Sequence, residues 1–299
     1  MPERLKVILS LLLSMICWAI SFVWIKQAFE SFNPITIVFF RLVISSLMLI
    51  IILKLSRRLI PLKREDVRWF FLLGFFEPFL YFMGESNGLK IVSSTMGAVI
   101  VSTVPLFAPI ADRLFFKSRL SFLNLAGITI SFTGVMILIF EKNFSLAAPI
   151  EGIALMFMAV FATMGYAIVL KKIPAHYNAV TIITYQNVVG TILFLPFFIV
   201  IDWQHVTHTH ITTEAVIAVL QLSVFASSLA FIFFTYGMRK IGISKANVFV
   251  NMIPVFTAFF AWWILDEEID LQKLVGIAIV IGGVFISQLK LRKNGNRPK

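Results

Sequence analysis

Three features of this 299-residue chain predict an all-α polytopic membrane protein: ten transmembrane helices in two inverted five-helix repeats, with both termini on the cytoplasmic side. Hydrophobic residues make up 59% and charged residues 14%, at a mean hydropathy of +0.93, well outside the range of a soluble globular domain. Ten apolar stretches approach the roughly 20 residues a helix needs to cross about 30 Å of hydrocarbon. Residues 88–137 also recur without a gap 149 positions later, at 237–286. Gly88 matches Gly237, Val99 matches Val248, Pro105 matches Pro254, Phe107 matches Phe256, Gly127 matches Gly276 and Gly134 matches Gly283. Because the matches are mostly Gly and Pro, the copies share backbone geometry as well as apolarity.

Span 1, at about 5–25, follows Arg4 and Lys6 and stays apolar through Trp24. That length favours a membrane helix over a cleaved leader, although Ala19-Ile20-Ser21 loosely resembles a cleavage site. Span 2 (35–53) carries Arg41 inside its apolar run, and span 3 (68–87) carries Glu77 and Glu85. Span 4 (92–112) contains Pro105 and Pro109 and ends on Asp112, and span 5 (121–140) leads into the boundary loop Glu141–Glu151. Span 6 (150–170) pairs with span 1, and in span 7 (178–201) the stretch Asn178–Gln186 parallels Asn33–Arg41. Spans 8 (215–236), 9 (243–265) and 10 (271–289) complete the second copy. The predicted units are residues 1–145, residues 146–290 and a basic cytoplasmic tail, 291–299.

Cationic residues test that list independently, since cytoplasmic loops collect the excess. With the N-terminus inside, the inner segments hold 21 Lys and Arg, the outer loops hold 4 (Lys26, Lys90, Lys142 and Lys273), and Arg41 alone lies within a span, which accounts for all 26. Five helices per half is an odd number, so the second copy enters from the opposite side and the repeat is inverted. The net charge of +11 sits in loops flanking helices, where topology and anionic lipid explain it without nucleic acid. The loops are too short for a soluble catalytic domain, and no GxxxxGK[ST], HExxH or GxSxG motif or paired midmembrane aspartates occurs. No enzymatic activity, cofactor or metal is predicted. His205, His208 and His210 fall in a polar outer loop as solvated residues, and Cys17 is single.

Span 3 is the most informative helix. Gly74, Glu77, Pro78, Tyr81, Gly84, Glu85 and Gly88 recur at helical spacing and predict one inward stripe, with Phe and Leu covering the remainder. Glu77 lies about 12 Å along the span, near the midplane, where a carboxylate is costly, faces the bundle or water, and suits reversible proton pickup. Arg41 either pairs with Glu77 or Glu85, faces an aqueous path, or binds a substrate carboxylate or phosphate. Span 8 keeps the small face through Ser223, Ala226, Ser227, Ala230 and Gly237 but has no acid. Span 9 offers Asn247, Asn251 and Pro254 where span 4 has Ala98, Ser102 and Pro105. Trp18, Tyr81, Tyr166 and Tyr185 are candidate aromatic walls, while Gln186, Asn187 and Gln221 suit hydrogen bonds between helices.

These features together resemble the drug/metabolite transporter superfamily in its EamA group: about 300 residues, ten spans, two five-helix repeats, an Arg in span 2, and a Pro inside spans 4 and 9. The resemblance covers nearly the whole chain and implies a bacterial inner-membrane carrier, often an exporter of amino acids or similar polar metabolites. Repeats of this kind work by alternating access around a midplane cavity, here expected between spans 3, 4, 8 and 9 with spans 1 and 6 nearby. The expected pathway residues are Glu77, Glu85, Arg41, Tyr81, Ser102, Ser227, Asn247, Asn251, Trp18 and Tyr166, with protons as the coupling ion through Glu77. The alternatives are a nucleotide-sugar or organic-phosphate exchanger of the same superfamily, which predicts more cations in the cavity, and a non-transporting membrane protein. Expected partners are a small-molecule substrate and the bilayer, with the chain as a monomer or homodimer.

Overall fold

The computed structural model describes residues 3–107, 122–140 and 146–288. Eight helices are long and apolar enough to cross a membrane: α1 (Glu3–Ala28), α2 (Pro34–Leu55), α3 (Val67–Ile91), α5 (Phe122–Ile139), α6 (Ile150–Leu170), α7 (Ala179–His208), α8 (Thr213–Ile241) and α9 (Ala246–Leu265). Two shorter apolar helices, α4 (Ser94–Phe107) and α10 (Leu271–Ser287), lie where spans 4 and 10 are expected. Asp112 and the end of span 4 lie outside the described residues. Hydrocarbon offers no partner to a free peptide group, so the helix satisfies its own backbone and its ends find local caps. Ser93 Oγ accepts the Met96 N–H at 3.2 Å, Asn178 Oδ1 accepts that of Thr181 at 2.8 Å, and Thr212 Oγ1 accepts that of Ala215 at 3.3 Å. The sharp α8–α9 connection turns on Gly242 at φ 87°, a conformation that favours glycine.

One sequence boundary is corrected. The histidine segment expected as an outer loop is helical over Trp203–His208, and His208 Nδ1 lies 2.8 Å from the Gln204 carbonyl oxygen. The apolar run ends near residue 201, but nothing in Trp203–His208 stops the helix, which runs on beyond its apolar part.

Helix irregularities fall at equivalent places in the two copies. In α4 the regular helix stops at Val101 and Thr103 N–H bonds the Ile100 carbonyl at 3.1 Å; in α9 it stops at Val250 and Met252 N–H bonds Phe249 at 2.9 Å. Pro105 and Pro254 follow, and each lacks the N–H that would continue the ladder. The centres of α3 and α8 are irregular too. At Glu77 the backbone leaves helical geometry (φ −146°, ψ 114°), and α8 widens over Leu222–Ala230, where Ser228 Oγ donates to the Ser223 carbonyl five residues back.

The copies meet at glycines. A Cβ on Gly127 of α5 would overlap the backbone of Gly283 and Ser287 of α10, and one on Gly276 would press on Gly134 and Leu138. A Cβ on Gly134 would lie 2.7 Å from Val280 N and 2.8 Å from Gly276 O, and one on Gly283 would overlap Ser131 and Gly127. Adding 149 to each residue of α5 and subtracting it from each residue of α10 returns the same contacts. The repeat in sequence is therefore a pseudo-twofold in space. A Cβ on Gly282 would meet nothing within 4 Å, and Ala278 is exposed, so neither of these small residues of α10 takes part in that contact. Gly127→Ala forces backbone apart on both sides and is expected to cost about 1–3 kcal/mol. Gly282→Ala is expected to leave stability unchanged, and thermal unfolding of the two detergent-purified variants by size-exclusion chromatography checks the contrast.

Candidate functional site

A cavity of about 130 Å³ lies between α1, α2, α3, α4, α6, α8 and α9. It runs from Ser21, Arg41 and Glu85 to Met238, Asn247 and the exposed Lys171. That end also carries Glu3 and Lys240, whose carboxylate and ammonium lie 2.7 Å apart. The wall includes α2, which the sequence reading left out, because Arg41 reaches inward.

Arg41 makes no ion pair with Glu77 or Glu85 within 4.0 Å among the described residues, so of the three roles open to it the direct pairing is the one not made here. Its side chain is 2% exposed. Nε donates to Ser227 Oγ on α8 at 2.8 Å, and the guanidinium sits over the Phe82 ring at 4.2 Å. An aromatic face and one hydroxyl hold this cation, the Glu85 carboxylate acts on it through space, and no hydrogen bond to either Nη group occurs among the described residues. Ser45 and Asn187 brace the same crossing: Asn187 Nδ2 donates to Ser45 Oγ at 2.7 Å and to the Ser227 carbonyl at 2.9 Å.

Glu77, Tyr81 and Glu85 all border the cavity, whereas the glycines predicted on their stripe do not. Gly74 packs on Val189 of α7, and Gly84 and Gly88 pack on Ala159 and Met156 of α6. The stripe divides within the regular helix that follows Glu77: Gly84 lies about 100° around the axis from Glu85, so one meets α6 while the other meets the cavity. Glu85 accepts the Tyr81 hydroxyl at 2.8 Å and is buried, 6% exposed. Glu77 is equally buried, and no hydrogen bond to its carboxylate occurs among the described residues. A buried acid without a donor is expensive unless it meets water, a proton or a solute in the cavity.

Trp18, Tyr166 and Asn247 also line the space, and Trp18 packs edge-on to Phe231 with ring centres 5.1 Å apart. Ser102 does not line it: its hydroxyl donates to the Val99 carbonyl at 2.7 Å, which is the ordinary use of a serine within a helix. Asn251, one turn beyond Asn247, lies outside the lining as well and is buried with Oδ1 unpartnered. Tyr185 reaches the connection between α2 and α3, where its hydroxyl donates to the Ile60 carbonyl at 3.2 Å.

The opposite end is clasped shut. Lys26 Nζ donates to the Val92 carbonyl at 2.7 Å, Ser94 Oγ to that of Phe22 at 3.2 Å, and Thr257 Oγ1 to that of Ala19 at 3.1 Å. Asp202 at the far end of α7 accepts the Thr36 N–H at 3.0 Å and the Thr36 hydroxyl at 2.8 Å, supplying the N-terminal cap of α2 that Asn33 does not provide. The sequence reading missed this contact, since its partners are 166 residues apart.

Comparison with known proteins agrees with this architecture. Residues 5–140 and 150–289 each match the EamA-like transporter family. An uncharacterized transporter of Archaeoglobus fulgidus is 27% identical over 289 residues, covering 95% of this chain and 98% of the relative. The uncharacterized transporter YdfC of Bacillus subtilis is 25% identical, covering 92% and 89%. A solved crystal structure superposes with a TM-score of 0.72 over 95% of this chain and 98% of its own, at 14% identity, a likeness of fold alone. With two matched copies, a multi-pass helical body and a cavity between the copies that holds an arginine and two glutamates, the chain belongs to the EamA-like transporter family.

Proposed function

We propose that this membrane transporter is a secondary active exporter of small polar metabolites, amino acids or similar solutes, working by alternating access. In this reading ten spans cross the bacterial inner membrane with both termini in the cytoplasm, as the division of 21 inner against 4 outer cationic residues argues. The cavity then faces the cytoplasm, and the clasped end is the closed outer gate.

The observation that carries the reading is the Arg41 guanidinium, with no ion pair within 4.0 Å among the described residues, in one apolar-walled cavity with Glu77 and Glu85. A cation and acids in one low-dielectric space match the two ends of a zwitterion, and Asn247 adds a neutral donor and acceptor. Glu77, without a donor of its own, serves as the proton-coupling carboxylate. The organic-phosphate reading has Lys171 in its favour as a second cation at the cavity mouth, but the two acids in the same lining oppose a multivalent anion.

The deciding experiment compares extracellular metabolites of cells expressing the wild type with those expressing Glu77→Gln at matched membrane abundance and two external pH values. One metabolite class accumulating outside with the wild type alone, in a pH-dependent way, is the expected result. No accumulation argues against export, and exchange of organic phosphates in proteoliposomes then decides for the second reading.

A further inference from the structure

Gln186 of α7 is wholly buried, and neither its Nε2 nor its Oε1 has a hydrogen-bond partner among the described residues. An unpartnered amide in a membrane helix is costly, because nothing around it replaces water. The repeat says what its partner should be. Asn178–Gln186 corresponds to Asn33–Arg41 at an offset of 145, so Gln186 is the counterpart of Arg41. Arg41 bonds Ser227 across the α2–α8 crossing, and Ser227 corresponds at 149 to Pro78. The equivalent bond from Gln186 would therefore fall on α3 at the Glu77–Pro78 turn. The two elements already touch there: Gln186 O would lie 3.1 Å from a Cβ on Gly74, and a Cβ on Gly190, one turn along α7, would overlap Pro78. The helices are in contact and the bond is not made.

In an inverted repeat the opposite-facing state is the one in which each copy takes the conformation the other holds now. We propose that Gln186 is a positioning residue of that state, bonding the Glu77 carboxyl group there while Arg41 releases Ser227. This rests on the alternating-access reading above. The chemistry explains why the second copy carries an amide and not a second arginine. Nε2 donates to a carboxylate and Oε1 accepts from a protonated carboxyl, so Gln186 holds Glu77 in either protonation form, whereas a fixed cation would oppose its protonation.

The test uses single-cysteine reporters in a Cys17→Ser background, reconstituted in vesicles and labelled with a membrane-impermeant maleimide. Ser94→Cys reports opening of the clasped end, and Ala167→Cys reports the present cavity. Gln186→Leu and the near-isosteric Gln186→Met both remove the latch, and each is expected to slow labelling at residue 94 about threefold or more and to speed it at residue 167. Ser227→Ala, which removes the bond of the present state, is expected to shift both rates the other way. Unchanged rates in both Gln186 variants, with the Ser227 variant still shifting, would overturn the role of Gln186 and leave alternating access standing. If residue 94 never reacts in the wild type or any variant, alternating access fails and takes this inference with it.

Discussion

Glu77→Gln is expected to lower proton-driven transport in proteoliposomes at least about tenfold, the effect of roughly 1.4 kcal/mol, and to make the remaining flux indifferent to external pH. The substitution keeps size and shape but cannot take up or release a proton. It sits at the break in α3, on the cavity wall, with no hydrogen bond to its carboxylate among the described residues, so it removes little that holds the fold together. Solute exchange without a proton gradient is expected to persist, which separates lost coupling from lost structure. Wild-type accumulation against a gradient by the Gln variant would remove Glu77 from the coupling role and direct attention to Glu85, whose Tyr81 partner already satisfies part of its carboxylate.

Arg41→Gln is expected to weaken solute binding roughly 10- to 150-fold, the range that one charge-assisted hydrogen bond of about 1.5–3 kcal/mol spans. Arg41→Lys keeps the charge but loses the planar contact with Phe82 and the Nε bond to Ser227, and should fall between the wild type and Gln. Binding read by solute-induced thermal stabilisation of purified protein checks both, against Gly282→Ala as a neutral control. Equal affinity in the wild type and the Gln variant would mean that no anionic group of the solute meets this cation.

The repeat was the most legible part of the sequence, because glycine and proline mark backbone constraints that survive when apolar side chains drift. The matched glycines of 88–137 and 237–286 include those at which the α5 and α10 backbones touch. The stripe on α3 was legible only in part: helical spacing groups Gly84, Glu85 and Gly88 on one broad face, but packing splits that face, with the glycines against α6 and α7 and the acids at the cavity. Arg41 was recognisable as an intramembrane cation, yet its partner was not, since charge alone suggested the acids whereas a serine 186 positions away and a phenylalanine ring hold it. Ser102 and Asn251 occupy equivalent places, and their polarity suggested a pathway, yet neither is in the lining and Ser102 gives its hydroxyl to the Val99 carbonyl. The Asp202 clasp had no local signal at all, because a cap donated by another helix leaves no trace in spacing.

The contact between α5 and α10 is its own image under the operation that exchanges the two copies. Other crossings change identity in that operation: Gly88 against Met156 of α6 becomes Gly237 against Leu11 of α1, and Arg41 at Ser227 becomes Gln186 at Glu77–Pro78. The α5–α10 crossing has nothing to rebuild. It can therefore serve as a fixed axle, and a covalent cross-link between the two helices should leave turnover intact, whereas one between α3 and α6 should stall it.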